Sequence, residues 1–239
     1  MTIWAILPAA GIGRRMGSTI PKQYLSIDGD PLLLHALRRL SAVSEIKKIV
    51  VVIHPEDSHW AKLHESIAEE FKSRIITVRG GDERYQSVLN GIVALTELAD
   101  KDDWVLVHDA VRPCVHTSDI ENLIQKVSLH PIGGLLGYPV ENTLKRIDKE
   151  RGVIETVDRG SYWNAFTPQM FRFAQLKESI ESVVASGEQV TDEAAAMELA
   201  GFKPIMVAGS KDNIKITHET DLVLASYILK NQASDNGSQ

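Results

Sequence analysis

The chain has almost no cysteine, no long apolar run and no excess of positive charge. Its 239 residues include one cysteine, Cys114, which excludes an internal disulfide and favours a reducing compartment, the cytoplasm. No apolar run approaches the roughly 18 residues of a membrane-spanning helix, and the short apolar N-terminal stretch lacks the basic region of a secretory signal. The net charge of -6 argues against a general binder of nucleic acid or anionic membranes. Any bound anion must therefore be held by local clusters of cations.

The remaining composition is that of a globular domain. Hydrophobic residues make up 44% and charged residues 24% of the chain, which excludes a collagenous, low-complexity or disordered protein. The length suits one large domain that can bury a sizeable core. We expect residues 1–230 to form this domain and the small, polar residues 231–239 to form a flexible tail.

Short apolar runs alternate with amphipathic stretches in the first half of the chain. Runs rich in β-branched residues predict buried, parallel strands at Trp4–Leu7, Ile49–Ile53, Ile75–Val78 and Trp104–Val107. Amphipathic stretches predict helices at Pro31–Leu40, Glu56–Phe71, Ser87–Leu98 and Thr117–Leu129, the last with N-cap candidates at Thr117, Ser118 and Asp119. This alternation predicts an open α/β sheet with right-handed crossovers.

The pattern changes near Gly133. A strand is predicted at Leu135–Val140, and two more, at Thr143–Ile147 and Val153–Val157, flank a polar turn at 148–152. These two predict a hairpin arm, at about residues 139–160, inserted in the α/β domain. The rest of the chain predicts helices at Phe173–Ser186, Asp192–Leu199 and Glu219–Leu229 and short strands at Pro204–Val207 and Asn213–Thr217.

A loop of small residues and cations follows the first predicted strand. An open α/β sheet places its ligand beyond the carboxyl ends of its strands, and small residues let backbone N–H groups approach an anion closely. The glycines, at positions 11, 13 and 17, do not fit the dinucleotide fingerprint, and the Gly-Lys-Ser/Thr of a Walker A loop is absent. We interpret the loop as wrapping a triphosphate, with Arg15 and Lys22 as point charges. The alternative is a Gly-rich turn with solvated cations.

Polar residues also follow the third and fourth predicted strands. Asp82 and Ser87 are candidates to read a base edge, because a carboxylate accepts hydrogen bonds from an exocyclic amine; an N-capping turn is the alternative. Asp109 suits Mg²⁺ or a sugar hydroxyl, and Arg112 suits a phosphate. The alternative for this second pair is a strand-terminal turn with an Asp–Arg ion pair.

Together these segments resemble one known family, the 2-C-methyl-D-erythritol 4-phosphate cytidylyltransferases. The motifs that carry the resemblance are the loop at 8–16, Pro21-Lys22-Gln23-Tyr24, Gly81-Asp82-Glu83-Arg84, Val107-His108-Asp109-Ala110 with Arg112-Pro113, Thr156-Val157-Asp158-Arg159, Thr167-Pro168-Gln169, Thr191-Asp192-Glu193 and Asn213-Ile214-Lys215. The resemblance covers nearly all of residues 3–230. It implies a Rossmann-like nucleotidyltransferase fold, with a mostly parallel twisted sheet, helices on both faces and an arm that interlocks the two subunits of a homodimer.

The resemblance also implies an activity, the transfer of a cytidylyl group from CTP to methylerythritol phosphate in non-mevalonate isoprenoid biosynthesis, with release of pyrophosphate. It places transition-state-stabilising cations at Arg15 and Lys22, and residues that position the acceptor phosphate at Arg159 and Lys215. Further acceptor contacts fall on Asp109, Arg112, Thr143, Thr167 and Thr191. Contacts with cytidine and its phosphates fall on Ala9, Ala10, Gly11, Gly13, Gly81, Asp82, Ser87 and Ala110. The implied cofactor is Mg²⁺, held mainly by the CTP phosphates, with Asp109 as a candidate ligand.

This chemistry needs no side-chain nucleophile, because an oxygen of a phosphate monoester can itself attack phosphorus. The protein must place a dianion in line with a triphosphate and supply cations where charge develops. Because Arg159 follows the hairpin, we expect it to serve the acceptor in the partner's site. Two alternatives stay open: a ribitol 5-phosphate cytidylyltransferase, which differs only in its acceptor, and a nucleotide-binding protein without transferase activity.

Overall fold

A computed structural model describes residues 1–11 and 20–236, apart from the side chains of Glu70, Asp235 and Asn236. The strands are β1 (Ile3–Ala9), β2 (Ser26–Ile27), β3 (Asp30–Pro31), β4 (Ile46–Ile53), β5 (Ile75–Arg79), β6 (Trp104–Val107), β7 (Gly133–Pro139), β8 (Leu144–Ile147), β9 (Val153–Val157), β10 (Trp163–Arg172) and β11 (Ile205–Ala208). The helices are α1 (Leu32–Ser41), α2 (Trp60–Ser66), α3 (Glu69–Lys72), α4 (Arg84–Val93), α5 (Thr117–Val127), α6 (Phe173–Ser186), α7 (Glu193–Leu199) and α8 (Glu219–Asn236). Short 3₁₀ turns occur at Lys22–Tyr24 and Arg159–Ser161.

Seven strands form the central sheet, in the order β11-β7-β10-β6-β1-β4-β5. Strand β1 pairs in parallel with β4 and β6, β4 with β5, and β7 with β11. Strand β10 runs antiparallel to both of its neighbours, β6 and β7. The predicted mostly parallel sheet is therefore confirmed. Because β4 and β6 lie on opposite sides of β1, the strand order reverses between β1 and β6.

The core lies on both faces of this sheet. Strand β1 sends Ile3 and Leu7 to the face covered by α1 and α5, and it sends Trp4 and Ile6 to the face covered by α4, α6 and α7. All four residues of β6 are buried, as expected for a parallel strand with helices on both faces. The helices on both faces that the sequence implied are thus present.

Strands β8 and β9 form the predicted hairpin, a separate two-stranded antiparallel sheet. Leu144 faces Val157 in the ladder. In the turn between the strands, Asp148 Oδ1 accepts hydrogen bonds from the backbone N–H groups of Glu150 and Gly152. Such turns through an aspartate side chain are typical of tight polar connections.

Several sequence predictions for local structure are wrong. The helix predicted over 56–71 is two short helices, because the backbone becomes extended at Ile67, with φ -76° and ψ 139°. No strand forms over 213–217; this segment makes a single ladder-like contact, from Ile216 N–H to the carbonyl of Val111 at 2.9 Å. The N-cap of α5 is His116, not one of the three residues that follow it.

The structure also differs from the sequence predictions at the C-terminal tail and at strand β10. Helix α8 continues to Asn236, and the side chain of Gln232 is buried and donates to the carbonyl of Cys114 at 2.9 Å. A flexible tail from residue 231 is therefore wrong for 231–236, and residues 237–239 lie outside the described residues. No strand is predicted over Trp163–Arg172, where the structure has β10. Proline in the middle of a segment normally argues against a central strand, and the register of β10 shifts around Pro168, between Phe166 and Gln169.

Among the described residues, no helix combines the length and the apolar character needed to cross a lipid bilayer.

Candidate active site

A pocket of about 300 Å³ opens beyond the carboxyl ends of β1 and β6. Its lining residues come from the end of β1 and the start of α4, from the connections that follow β1, β5 and β6, and from the segment before α8. They are Pro8, Ala9, Ala10, Gly11, Lys22, Gln23, Gly81, Asp82, Glu83, Arg84, Ser87, Asp109, Ala110, Val111 and Lys215. The reversal of strand order between β1 and β6 separates the loops that follow these two strands, which leaves a crevice. Ligands of open α/β sheets bind in such a crevice.

Most of the residues predicted to bind substrates meet in this pocket. The predicted residues that line it are Ala9, Ala10, Gly11, Lys22, Gly81, Asp82, Ser87, Asp109, Ala110 and Lys215. Gly13 and Arg15 lie outside the described residues. The predicted residues that do not line it are Arg112, Thr143, Arg159, Thr167 and Thr191.

The position of Lys22 is set by the two residues that follow it in the 3₁₀ turn. The buried side chain of Gln23 donates to the carbonyl of Ala9 at 2.5 Å, which ties the turn to the end of β1. The hydroxyl of Tyr24 donates to Asp57 Oδ2 at 2.8 Å, and its ring lies 4.9 Å from that of His59. The backbone of Lys22 is therefore held against two separate parts of the sheet edge.

Ser87 supports the loop after β5 from within. Its hydroxyl is buried and accepts the N–H of Gly81 at 3.2 Å. Asp82 is exposed at the pocket and keeps its carboxylate on the surface. Helix α4 begins two residues later, and the side chain of Gln86 accepts the N–H of Glu83 at 3.0 Å. The segment therefore forms a helix-start turn as well as a pocket wall, so the two interpretations of its sequence are compatible.

A network of opposite charges spans the floor of the pocket. Asp109 is buried, and its Oδ1 accepts from Arg84 Nε at 2.9 Å while its Oδ2 accepts from Lys215 Nζ at 2.8 Å. Arg112 approaches the same carboxylate at 3.9 Å. The guanidinium of Arg84 also binds both carboxylate oxygens of Glu193, at 2.5 and 3.1 Å. Asp109 therefore does not form a single Asp–Arg ion pair, as its sequence neighbourhood suggested; it contacts Arg84, Lys215 and Arg112.

Burial and charge compete in setting the pKa values of this network. Burial alone would raise the pKa of Asp109, but the positive charges of Arg84 and Lys215 outweigh it and hold that pKa far below the usual range. Burial would lower the pKa of Arg84, but the carboxylates of Glu193 and Asp109 raise it instead. Burial raises the pKa of Glu193, and the adjacent Arg84 limits the rise. Asp109 therefore stays ionised throughout the physiological pH range.

Thr167 and His108 fix the backbone of Asp109. His108 is fully buried, which lowers its pKa to about 4, so it is neutral at pH 7. Its Nε2 faces the carbonyl of Arg112 at 3.0 Å and must donate there, so Nδ1 accepts from the Thr167 hydroxyl at 3.1 Å. The same hydroxyl oxygen accepts the N–H of Asp109 at 3.0 Å. The hydroxyl of Thr167 therefore donates one hydrogen bond and accepts another within the protein.

Three of the predicted acceptor contacts are exposed and do not belong to the pocket lining. Thr143 precedes β8 and Arg159 follows β9, so both lie at the base of the hairpin arm. Thr191 precedes α7. The guanidinium of Arg159 donates to the carbonyl of Glu141 at the base of the arm. The single chain therefore does not place these three residues in the lining of the pocket that Lys22 and Lys215 share.

Sequence reasoning assigned no role to Arg84 or Glu193. Both occur in the motifs that carried the resemblance, but nothing in their local sequence indicates that they pair with each other. A glutamate in the first turn of α7 is an ordinary helix-start residue. Only the structure reveals that Glu193 is buried, at 1% exposure, and that it pairs with Arg84.

The described residues do not offer a protein-built metal site. They contain no group of three or more His, Cys, Asp or Glu side chains that could hold a metal ion. The candidate ligand Asp109 is buried with both of its oxygens bound to cations. In this arrangement Asp109 does not fit the role of a magnesium ligand, because a divalent cation would have to displace Lys215 or Arg84.

Comparisons with known proteins agree with this geometry. The model of the family 2-C-methyl-D-erythritol 4-phosphate cytidylyltransferase matches residues 3–231. A protein of that name from Hahella chejuensis is 45% identical over 228 residues, which cover 95% of this chain and 93% of the relative. The crystal structure of the Francisella tularensis 2-C-methyl-D-erythritol 4-phosphate cytidylyltransferase is 34% identical, with a TM-score of 0.80 over 95% of this chain and 100% of that one. The chain therefore belongs to the 2-C-methyl-D-erythritol 4-phosphate cytidylyltransferase family.

Proposed function

We propose that the chain transfers the cytidylyl group of CTP to the phosphate of 2-C-methyl-D-erythritol 4-phosphate and releases pyrophosphate. Membership of the family supports this activity. The structural observation that carries it is the convergence of Lys22, Arg84 and Lys215 on one pocket, beside the small-residue backbone of 9–11. Close backbone approach together with several cations suits a triphosphate that must meet a second phosphate.

The reaction is a substitution at the α-phosphorus of CTP. An oxygen of the acceptor phosphate forms a new bond to that phosphorus, and the bond to the oxygen that bridges to the β-phosphate breaks. Pyrophosphate leaves with the bonding electron pair. The second pKa of a phosphate monoester is about 6, so the attacking oxygen is already deprotonated at neutral pH and no side-chain base is required.

The pocket divides into a nucleotide side and an acceptor side. We assign the nucleotide side to Ala9, Ala10, Gly11, Gly13, Gly81, Asp82, Ser87 and Ala110. Lys22, together with Arg15, stabilises the charge that develops on the α-phosphoryl group and on the departing pyrophosphate. On the acceptor side, Lys215 and Asp109 line the pocket. We assign the remaining acceptor contacts, some of them made across the dimer, to Arg159, which holds the acceptor phosphate in line with Lys215, and to Arg112, Thr143, Thr167 and Thr191.

We propose that Mg²⁺ reaches the site on the triphosphate and not on a carboxylate of the chain. When bound there, it neutralises charge on the phosphate oxygens. The engagement of both Asp109 oxygens by Arg84 and Lys215 supports this assignment. Replacement of Asp109 by asparagine should then leave the Mg²⁺ concentration needed for half-maximal activity unchanged while weakening acceptor binding.

The hairpin arm is the proposed site of homodimerisation. It exposes large apolar side chains, with Ile147 at 52%, Val153 at 64% and Ile154 at 50%, on a two-stranded sheet that stands apart from the main sheet. An isolated hairpin is marginally stable in water, so a covering surface from a second copy would stabilise it. We expect light scattering to report a dimer that V153D converts to a monomer. The control L129D, which alters a side chain exposed elsewhere, at 87%, should leave the dimer intact.

Arg159 is proposed to reach the acceptor in the partner's site. It is exposed at the base of the arm and does not line the pocket of its own chain. R159M should raise the KM for the acceptor far more than the KM for CTP. Equal changes in both constants would contradict this assignment.

A cytoplasmic location is also proposed. Its support is Cys114, the single cysteine of the chain, which is buried and has no second cysteine with which to form an internal disulfide.

Pyrophosphate release tests the proposed activity directly. Purified protein is supplied with CTP and Mg²⁺, and the initial rate is compared for methylerythritol 4-phosphate and ribitol 5-phosphate. Preference for methylerythritol 4-phosphate is expected. Preference for ribitol 5-phosphate would keep the chemistry and change the acceptor, and no release with either would leave a nucleotide-binding protein.

A further inference from the structure

Glu193 is a buried carboxylate that the proposed reaction does not use. It lies in the first turn of α7 with 1% of its surface exposed. A buried charge is costly unless it is paired, and Glu193 has such a partner in the guanidinium of Arg84, which binds both of its oxygens. Asp192 caps α7 by accepting the N–H of Ala195 at 2.9 Å, and it also accepts from Gln169 of β10. The helix that presents Glu193 is therefore firmly attached to the sheet.

Arg84 connects Glu193 to the pocket. Its guanidinium lies between two carboxylates, with Glu193 on one side and Asp109 Oδ1, at 2.9 Å, on the other. A guanidinium presents its donors in a fixed planar fork, so fixing one edge on Glu193 sets the direction of the other. Without that anchor, the direction in which Arg84 donates to Asp109 would no longer be fixed.

The two oxygens of Asp109 have partners that differ in exposure and in the number of carboxylates that hold them. Oδ1 is held by Arg84, whose side chain is 28% exposed and doubly anchored. Oδ2 is held by Lys215, whose side chain is 43% exposed and lines the pocket. When a phosphate monoester enters, Lys215 can turn from Asp109 to the incoming dianion. Oδ2 is then available to accept a hydrogen bond from a hydroxyl of the same molecule.

We infer that Glu193 is a positioning residue for the acceptor, acting through Arg84 to orient Asp109 toward a hydroxyl of a phosphorylated polyol. This inference rests on the proposed function, because it concerns the acceptor side of that site. Glu193 thereby contributes to the selection of the acceptor over other phosphorylated molecules, although Glu193 itself does not contact the acceptor. The nucleotide side, which does not depend on the direction of Asp109, is unaffected by Glu193.

The first test is a comparison of E193Q with the wild type in the pyrophosphate-release assay. Glutamine has the same shape as glutamate but lacks the charge that fixes Arg84. We expect the KM for methylerythritol 4-phosphate to rise about tenfold, as a charge-assisted contact becomes a neutral one. The KM for CTP and kcat should stay within about twofold. The control E198Q changes an exposed glutamate of the same helix and should match the wild type.

The second test asks whether Glu193 acts through Arg84. R84M and the double variant E193Q/R84M are assayed in the same way. Residues that act through a shared partner are not additive, so the double variant should have the acceptor KM of R84M alone. If E193Q does not fold, E193D takes its place, because it keeps the charge but shortens the reach to Arg84 and should raise the same constant.

The outcomes separate this inference from the proposed function. A wild type that releases no pyrophosphate would overturn the function itself. An active wild type with an unchanged acceptor KM in the Glu193 variant would overturn only the role of Glu193. Additive effects of E193Q and R84M would show that Glu193 does not act through Arg84. Equal changes in kcat and in both KM values would show that Glu193 acts on stability alone. Either result would also overturn the inference.

Discussion

Replacing Gly80 by alanine tests how tightly the two walls of the nucleotide side are packed. Gly80 is buried directly after β5, and its N–H donates to the carbonyl of Ile53 at 2.7 Å. A Cβ atom at this position would lie 2.4 Å from Ala10 Cβ, 2.8 Å from Ser87 Oγ and 3.3 Å from the Ile53 carbonyl oxygen. Ala10 has no flexible end that can turn away, so its backbone must move.

The size of this movement follows from van der Waals radii. Two carbon atoms normally approach to about 3.5–4.0 Å, so the new contact with Ala10 is too short by more than about 1 Å. Overpacking of this kind costs about 1–3 kcal/mol in the free energy of unfolding. A displacement of about 1 Å in a substrate-positioning segment can cost up to about 10²-fold in rate. We therefore expect G80A to lower kcat/KM for CTP by about 10- to 100-fold.

The matched control is G91A, near the C-terminal end of α4; Gly91 itself does not line the pocket. Its Cβ would lie 2.9 Å from Ile6 Cγ2 and 3.2 Å from Val52 Cγ2, which are methyl groups of buried residues that do not line the pocket, so the strain falls in the core. Alanine also gains about 1 kcal/mol of helix propensity over glycine, which offsets part of the strain. We expect little change in activity from G91A. Wild-type kcat/KM for CTP in G80A, or an equal loss in both variants, would refute the reasoning.

Three further predictions concern single side chains. K22A should lower kcat about 10²- to 10³-fold at saturating substrates in the pyrophosphate assay, the scale for loss of one stabilising donor; near-normal turnover would remove Lys22 from the mechanism. Y24F loses the hydrogen bond to Asp57 and should lower the free energy of unfolding by about 1 kcal/mol in urea titrations. Burial lowers the pKa of His108 to about 4, so the unfolded chain takes up a proton below its ordinary pKa of 6.5 while the folded chain does not. The stability of the wild type relative to H108Q should therefore fall as the pH drops from about 6.5 to 4, by up to about 3 kcal/mol.

Much of the fold could be predicted because the sequences of the parallel strands are continuous apolar runs. Trp104–Val107 was predicted with its exact bounds, since all four side chains are buried and β-branched or aromatic residues dominate. Helix α6 has the approximate bounds predicted for it, and in the structure Gly187 ends it in the left-handed conformation, at φ 72°. A local sequence pattern predicts the bounds of a strand or helix when its burial and its last residue depend on neighbouring residues alone.

The elements that sequence reasoning missed depend on distant contacts. Strand β10 contains Pro168 and is formed only because β6 and β7 are available on its two sides. The end of α8 was predicted as a flexible tail because its residues are polar, yet Gln232 bonds to Cys114, more than 100 residues earlier. Polar sequence predicts exposure on average, and tertiary contacts decide the individual case.

The sequence by itself determined the open α/β sheet, the family and the loops that supply the pocket, because these follow from hydrophobic periodicity and from motifs of adjacent residues. Only the tertiary structure decided which charges neutralise one another. Arg84 and Glu193 are 109 positions apart, and Lys215 and Asp109 are 106 apart. Their pairing is set by the strand order that brings four segments to one crevice, and the energy of a buried ion pair depends on distance and burial, which no local pattern encodes.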